Sequence, residues 1–344
     1  MIRQQTQTAT AVPPNDHTAD NGRPILTAQN LHKSYDGVPA LRGLTFSLQA
    51  GRILGFLGPN GAGKTTAIRI LTTIFAASSG DFFVDGIGSQ KPQQIRQKIG
   101  VLPESAGFPK QMTAVAYLTY FGQHYGRSAA NAKANALALL QEVGLSKRAN
   151  SLVGSYSRGM RQRLGIARAL VNDPVVVFLD EPTLGLDPRG KKELLALVRR
   201  IASERHAGVV FCSHLLSEVE EICDDVVIMR EGQVVAAGPV QEVLAQGSRP
   251  LIRLRVLPEQ VTAVQQMLIN APGVAAIFAN GSANGMLELQ IVNDIAKNSG
   301  ADVQLKNHIL QTLLQANITP LNFDADSGSR LQDIFFQLTE EPRS

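Results

Sequence analysis

Two apolar runs, each ending in a loop of chemically specialised residues, constrain this chain more than any other feature. Arg52 to Leu57 (RILGFL) is short and continuously apolar; GPNGAGKT, Gly58 to Thr65, follows, and then helical periodicity from Thr65 to Ile74. Val175 to Leu179 (VVVFL) is the second run and ends in the carboxylate pair Asp180-Glu181. A glycine-containing loop and an Arg-rich helix stand just before it, in YSRGMRQRLGIARAL. Short apolar runs bounded by turn residues read as buried strands, and strands alternating with helices argue for a parallel sheet. Open α/β sheets bind ligands at the carboxyl ends of such strands. The expected fold class is therefore α/β, with both loops at one sheet edge.

The residue types in those loops suit phosphate chemistry. Gly58, Gly61 and Gly63 let the backbone close around phosphates without a Cβ in the way; Pro59, Asn60 and Ala62 complete the loop. Consecutive N–H groups and the following helix N-terminus then point at the anion. Lys64 can neutralise β- and γ-phosphate charge, and Thr65 can offer its hydroxyl to Mg²⁺. Asp180 emerges from a buried strand and can hold Mg²⁺ through water. Glu181 projects differently and is placed to take a proton from an attacking water. His214 lies just past the apolar strand GVVFCS. A neutral imidazole there can donate to a γ-phosphate while accepting from a neighbour.

Around these runs, Ile25 to Tyr35 and Leu41 to Leu48 read as a β-hairpin with a turn at Asp36-Gly37. Ser79-Gly80 and Asp85-Gly86 bracket another short strand. Thr113 to Gly126 and Ser128 to Val143 read as amphipathic helices, a helical insert at about 105–172. Val209 to Cys212 is a further buried strand after the helix Lys191 to Ser203. Val226 to Met229 and Gln233 to Ala237 form an antiparallel pair that closes a first domain, 23–245. A linker at 246–250 precedes a second domain, 251–344. There, strands at Leu251 to Val256, Val274 to Ala279, Met286 to Val292 and Ile318 to Phe323 alternate with helices at Glu259 to Asn270 and Val303 to Ala316. The order βαββαβ suggests a small α+β ferredoxin-like unit, with a terminal helix from Arg330 to Leu338. Residues 1–22 are polar, with no periodic apolar positions, and are expected to be a disordered tail.

Composition narrows the function classes. The 344 residues are 44% hydrophobic, enough for a sizeable core, and the net charge is only +4. Lys and Arg are scattered, so no nucleic-acid partner is expected, because such binding needs a clustered basic face. Cys212 and Cys223 are the only cysteines and have no metal-type spacing. No apolar run is long enough to cross a bilayer, and the N-terminus has no signal-like apolar core. Any membrane role is expected from another polypeptide.

Taken together, these segments resemble the ATP-binding cassette (ABC) of the ABC ATPases, over roughly Ile25 to Leu244. The resemblance implies a P-loop NTPase cassette with a parallel core sheet, an antiparallel β subdomain and the helical insert. It implies that Tyr35 stacks on adenine, that Gly58 to Thr66 (ending Lys64-Thr65-Thr66) bind the phosphates, and that Tyr156-Ser157-Arg158-Gly159-Met160 is the signature loop, commonly LSGGQ. Asp180 matches the Mg²⁺ aspartate, Glu181 the catalytic glutamate, Leu184 to Asp187 the loop lining the subunit interface, and His214 the switch histidine. Two positions depart from the family pattern. Glu104, in Leu102-Pro103-Glu104, stands where Gln is usual; it can coordinate Mg²⁺ or water but adds negative charge. In the signature, Tyr156, Arg158 and Met160 replace Leu, Gly and Gln, while Ser157 and Gly159 remain.

In the family, two cassettes face each other, and each ATP lies between one chain's phosphate loop and the other's signature. One cassette per chain thus implies a homodimer or pairing with a similar ABC subunit. The form YSRGM, the LPE segment and the tail LQDIFFQLTEE resemble ATP-binding subunits of drug, lipid and polysaccharide exporters. Those hydrolyse ATP with Mg²⁺ at the cytoplasmic face of the plasma membrane, peripherally, beside a separate transmembrane permease subunit. A soluble ABC ATPase acting on ribosomes or nucleic acid is the alternative, usually marked by two cassettes in one chain, a coiled-coil insert or basic arms.

Overall fold

A computed structural model describes residues 23–105, 107–247, 251–279, 285–292, 299–324, 331 and 335. The tail expected at 1–22, linker residues 248–250 and most of the helix expected at 330–338 lie outside the described residues.

The chain opens with β1 (Leu26–Tyr35) and β2 (Val38–Leu48), paired antiparallel from Leu26↔Leu48 to Tyr35↔Val38. Asp36 (φ 47°) and Gly37 (φ 82°) form the turn between them. Two successive positive φ values match the right-handed twist of a hairpin, which is why Asp-Gly suits this turn. Next come β3 (Ile53–Leu57), α1 (Lys64–Leu71), β4 (Ser79–Val84), β5 (Ile87–Gly88), α2 (Pro92–Lys98) and β6 (Ile99–Leu102). The helical insert holds α3 (Ala114–His124), α4 (Ala129–Glu142) and α5 (Arg158–Ala169). Thr113, Ser128 and Ser157 cap these three helices through their side chains, as N-cap hydroxyls do. Then follow β7 (Val176–Asp180), α6 (Pro188–Arg205), β8 (Gly208–Cys212), α7 (Leu216–Ile222), β9 (Asp225–Arg230), β10 (Gln233–Pro239) and α8 (Val240–Gly247).

These strands make two sheets. One is antiparallel, in the order β2-β1-β4-β5; the other has six strands, in the order β10-β9-β3-β8-β7-β6. In the larger sheet β9, β3, β8, β7 and β6 pair parallel, and only β10 runs antiparallel. Its central strands are buried on both faces, and their side chains alternate between two cores. Ile53, Val177, Leu179, Val209 and Phe211 pack with the helices of the insert and α6. Leu54, Phe56, Val176, Phe178 and Val210 pack with α1 and the antiparallel sheet. By the same alternation, Asp180 emerges on the face of Phe178, toward α1.

Some elements differ from the sequence reading. Helix α1 stops at Leu71, short of Ile74: Thr72 Oγ1 donates back to Ile68 O at 2.7 Å and Thr73 turns to φ 62°. Helix α6 begins at Pro188, not Lys191, because Asp187 caps it by accepting from Gly190 N and proline suits the first position. It ends at His206, in the left-handed region. Helices α2, α7 and α8, of seven or eight residues each, are not among the elements expected from the sequence.

Beyond residue 250 come β11 (Leu251–Arg255), α9 (Val261–Leu268), β12 (Val274–Ala279), β13 (Met286–Ile291), α10 (Ser299–Gln315) and β14 (Asn322–Asp324). The four strands form an antiparallel sheet in the order β12-β13-β11-β14, with its own core around Leu254, Val264, Leu289 and Ile309. Ile318, expected to begin the last strand, instead closes α10. Its N–H donates to Leu313 O at 2.9 Å after Asn317 turns to φ 55°, a Schellman-type helix end. The strand starts only at Asn322.

Leu331 is 0% exposed and belongs to the core of the first unit, with Val240 and Val243; Phe335 packs against the same core. The chain thus returns from its third sheet to the layer that holds α8. Leu331→Ala is expected to lower unfolding stability by about 2–5 kcal/mol. A change within about 0.5 kcal/mol in urea unfolding, as for an exposed side chain, would contradict this packing.

Candidate functional site

The phosphate-type loop joins β3 to α1. Gly61 and Gly63 have φ of 84° and 102°, values a side chain resists. Space is also short: a Cβ on Gly63 would lie 2.6 Å from Ala40 O, and one on Gly58 2.5 Å from Met229 O. Gly63 is the N-cap of α1, with no side chain capping the first turn. The first-turn N–H groups, at Thr65 and Thr66 among others, therefore remain available to an anion. Lys64 Nζ donates to Gly58 O at 2.5 Å and Pro59 O at 3.1 Å, so its ammonium is folded back along the loop. Pro59, Asn60 and Gly61 are exposed at the loop crest, and Ala62 is buried beneath it.

Ala40 and Leu41 of β2 lie against Gly63, so the β1–β2 hairpin borders the loop. Tyr35, at the end of β1, is 40% exposed. Its ring meets the edge of Phe75 at 6.1 Å, and Lys33 Nζ lies 5.3 Å from its centre. An exposed ring so held can stack on a planar base.

At the same sheet edge stand the acids. Parallel pairing places Asp180 of β7 opposite Cys212 of β8, and Leu102 of β6 opposite Leu179. Glu104 follows β6 by two residues. Burial pushes the Asp180 carboxyl above its ordinary range, a hydrogen bond with the Cys212 thiol opposes this, and the charge of Glu104 adds to the rise. Lys64 is also within electrostatic reach and pulls the other way. Thr65, Asp180 and Glu104 are all oxygen donors of the kind a hard cation takes. A divalent cation would relieve the repulsion between the two carboxylates, so this donor set fits Mg²⁺.

Glu181 has φ 49°, unusual for a residue with a side chain, and its N–H donates to Cys212 O at 2.9 Å. Such strain persists only where the surroundings hold it, and it is commonest at functional sites. Its carboxyl is raised, first by burial; the contact with His214 opposes this, and the Asp180 charge adds to it. His214 Nδ1 lies 2.8 Å from Glu181 Oε2. The neighbour of the imidazole is thus Glu181. Against an ionised carboxylate, which only accepts, Nδ1 donates and a neutral ring keeps a lone pair on Nε2; against the protonated acid, Nδ1 accepts and Nε2–H is left to donate to a phosphate.

Ser157, Arg158, Gly159 and Asp187 gather elsewhere, around an open cavity of about 550 Å³ that no phosphate-loop residue lines. Ser157 Oγ accepts from Met160 N at 3.3 Å, capping α5. A Cβ on Gly159 would meet Leu186 Cδ2 at an ordinary contact distance of 3.7 Å. The Arg158 guanidinium sits over Gly185, where a Cβ would come within 2.4 Å of it. Tyr156 is a core residue: it is buried and its hydroxyl donates to Arg148 O at 2.8 Å. The sequence-derived site residues thus fall into two groups, one around Lys64, Asp180 and Glu181, the other around Ser157 and Asp187. Two neighbours escape sequence reasoning. Cys212 becomes visible only through strand register, and Glu218, a buried acid on a short helix, carries no motif.

Comparison with known proteins bears on the family. A sequence profile of the ABC transporter family matches residues 41–184. The uncharacterized ABC transporter ATP-binding protein YxlF of Bacillus subtilis (strain 168) is 31% identical over 314 residues, 91% of this chain and 99% of its own length. The bacitracin transport ATP-binding protein BcrA of Bacillus licheniformis is 33% identical over 302 residues, 84% of this chain and 97% of its own. Among solved structures, an ATP-binding subunit of an ABC transporter superposes with a TM-score of 0.58 at 29% identity, covering 64% of this chain and 92% of that one. Together with the phosphate loop and the Asp180-Glu181 strand end, these likenesses show that the chain belongs to the family of ABC transporter ATP-binding proteins.

Proposed function

We propose that this chain is the ATP-hydrolysing subunit of an ABC exporter, and that two copies close on two ATP molecules to drive a separate transmembrane permease. One observation carries the dimer: the cavity with Ser157, Gly159 and Asp187 holds no phosphate-loop residue. Its hydroxyl and its open backbone suit a phosphate that this copy does not itself hold. Among the described residues no helix is long and apolar enough to cross a membrane, in keeping with a peripheral subunit at the cytoplasmic face of the plasma membrane. The export assignment draws on the YSRGM signature, the LPE segment and the likeness to a bacitracin transport protein. In this reading residues 23–245 are the cassette and 251–344 carry a ferredoxin-like accessory unit with βαββαβ order; α8 takes linker residues 246 and 247, and Leu331 and Phe335 return to the core of the cassette.

In the cassette, Gly58 to Thr66 wrap the phosphates, Lys64 swings from its own loop carbonyls to the β- and γ-oxygens, and Tyr35 stacks on adenine. Thr65, Asp180 and Glu104 would hold Mg²⁺, which when bound offsets the phosphate charge. Glu181 takes the proton of the attacking water, and its burial brings its pKa toward the working pH, as an efficient base requires. His214 orients Glu181 through Nδ1. Protonated, it also presents Nε2–H to a phosphate oxygen.

Glu181→Gln is expected to lower ATP turnover by about 100-fold or more while leaving ATP binding intact and trapping an ATP-dependent dimer on size exclusion. Turnover near the wild-type rate would remove Glu181 from the role of base. The raised Glu181 pKa also sets a sign. The fold favours the neutral acid, so its stability contribution is present below the ordinary carboxylate pKa and lost as pH rises through the raised one. Glu181→Gln should therefore raise the melting temperature at neutral pH and lose that gain in acid. A gain that grows in acid would contradict the burial. Purified from membranes in detergent, the chain should retain a multi-span protein; recovery only with ribosomes would overturn the transporter reading.

A further inference from the structure

Behind the acid–histidine pair lies a buried polar cluster with no assigned role. Glu218, on α7, is 5% exposed, and Thr183 and Ser213 are wholly buried. Both hydroxyls donate to one carboxylate oxygen: Thr183 Oγ1 reaches Glu218 Oε2 at 2.6 Å and Ser213 Oγ reaches it at 2.9 Å. The other oxygen, Oε1, makes no hydrogen bond but lies 3.2 Å from Lys191 Nζ in the first turns of α6. Ser213 Oγ also accepts from Leu215 N at 3.1 Å, which locks the turn into α7.

The placement is specific. Thr183 stands two residues after Glu181, and Ser213 immediately precedes His214, so one oxygen binds the two segments that carry the 2.8 Å Glu181–His214 contact. The same loop continues through Leu186, whose N–H donates to Thr183 O at 3.1 Å, to Asp187 and the start of α6. A buried carboxylate is costly unless paired and hydrogen-bonded, and packing alone would be served by an apolar residue. Glu181 moreover sits at φ 49°, a conformation that must be held from outside.

We propose that Glu218 is a positioning residue for ATP hydrolysis: through Thr183 and Ser213 it holds Glu181 and His214 at the spacing the reaction needs. The inference rests on the ATPase reading above. Its effect falls on the chemical step, because none of the phosphate-loop residues contributes to the cluster.

The test uses the full-length protein and four variants: Thr183→Val, Ser213→Ala, Glu218→Met and the hydroxyl-retaining Thr183→Ser. For each, the ATP dissociation constant, kcat, KM and melting temperature are measured. Thr183→Val, Ser213→Ala and Glu218→Met should lower kcat by about 10-fold or more, as misplacement of a catalytic group does, with ATP affinity within about twofold of wild type. Thr183→Ser should restore kcat to within about twofold. Unchanged kcat in the first three, parallel losses of affinity and kcat, or kcat losses that merely follow the melting temperature would overturn the proposal. Where Glu218→Met does not fold, the two Thr183 variants decide it alone. A wild-type chain that hydrolyses no ATP removes the parent reading; an active wild type with kcat-silent variants removes only this inference.

Discussion

The parallel pairing of β7 with β8, which sets Asp180 opposite Cys212, is the constraint on which the rest of the site depends. Because β3 and β6 flank the same two strands in parallel, four strand ends open on one edge. The glycine loop, Glu104, Asp180-Glu181 and Ser213-His214 each leave from one of them. Side chains alternate along a strand, so a slip of one residue would send Asp180 to the opposite core. The fully buried runs on both faces of the sheet prevent that slip, since each strand must satisfy two cores at once. Packing far from any phosphate thus decides which carboxylate faces Lys64.

The edge concentrates negative charge in partly buried surroundings. Asp180 and Glu181 are both raised by burial, and each is raised further by a neighbouring acid. Such a pair is unfavourable for folding alone and useful for chemistry. Asp180 suits a cation, and Glu181, tied to His214, suits proton transfer. The second cluster is mixed: the guanidiniums of Arg158, Arg163 and Arg189 line its open cavity together with the carboxylates of Asp187 and Glu193. In the proposed reading the first group works on this copy's nucleotide and the second meets its partner's, which accounts for both without moving the chain.

Much of this was legible in the residues. The glycine loop is readable because its φ values admit little else at Gly61 and Gly63, and Asp180 because an apolar strand must end where charge begins. The Asp36-Gly37 turn is readable for the same backbone reason. Other features depend on tertiary context. The partner of His214 could not be read because Glu181 leaves a different strand end, 33 residues away in the chain. The end of α1 and the late start of β14 depart from the sequence reading because Thr73 and Asn317 adopt left-handed backbone that their residue types only permit. Glu218 was missed because a buried acid on a short helix looks like any solvated one until Thr183 and Ser213 are seen against it.

The central claim is that a complete site needs the phosphate loop of one copy and the signature of another, and complementation tests it most directly. Lys64→Ala disables the first half and Ser157→Arg the second, so each homodimer carries only defective sites. Mixed, the two variants can form a heterodimer in which one site collects both defects and the other has none. The account predicts that ATP hydrolysis reappears on mixing two inactive proteins. A mixture as inactive as its components, or a wild-type rate per chain that is independent of concentration far below the range where dimers form, would contradict it.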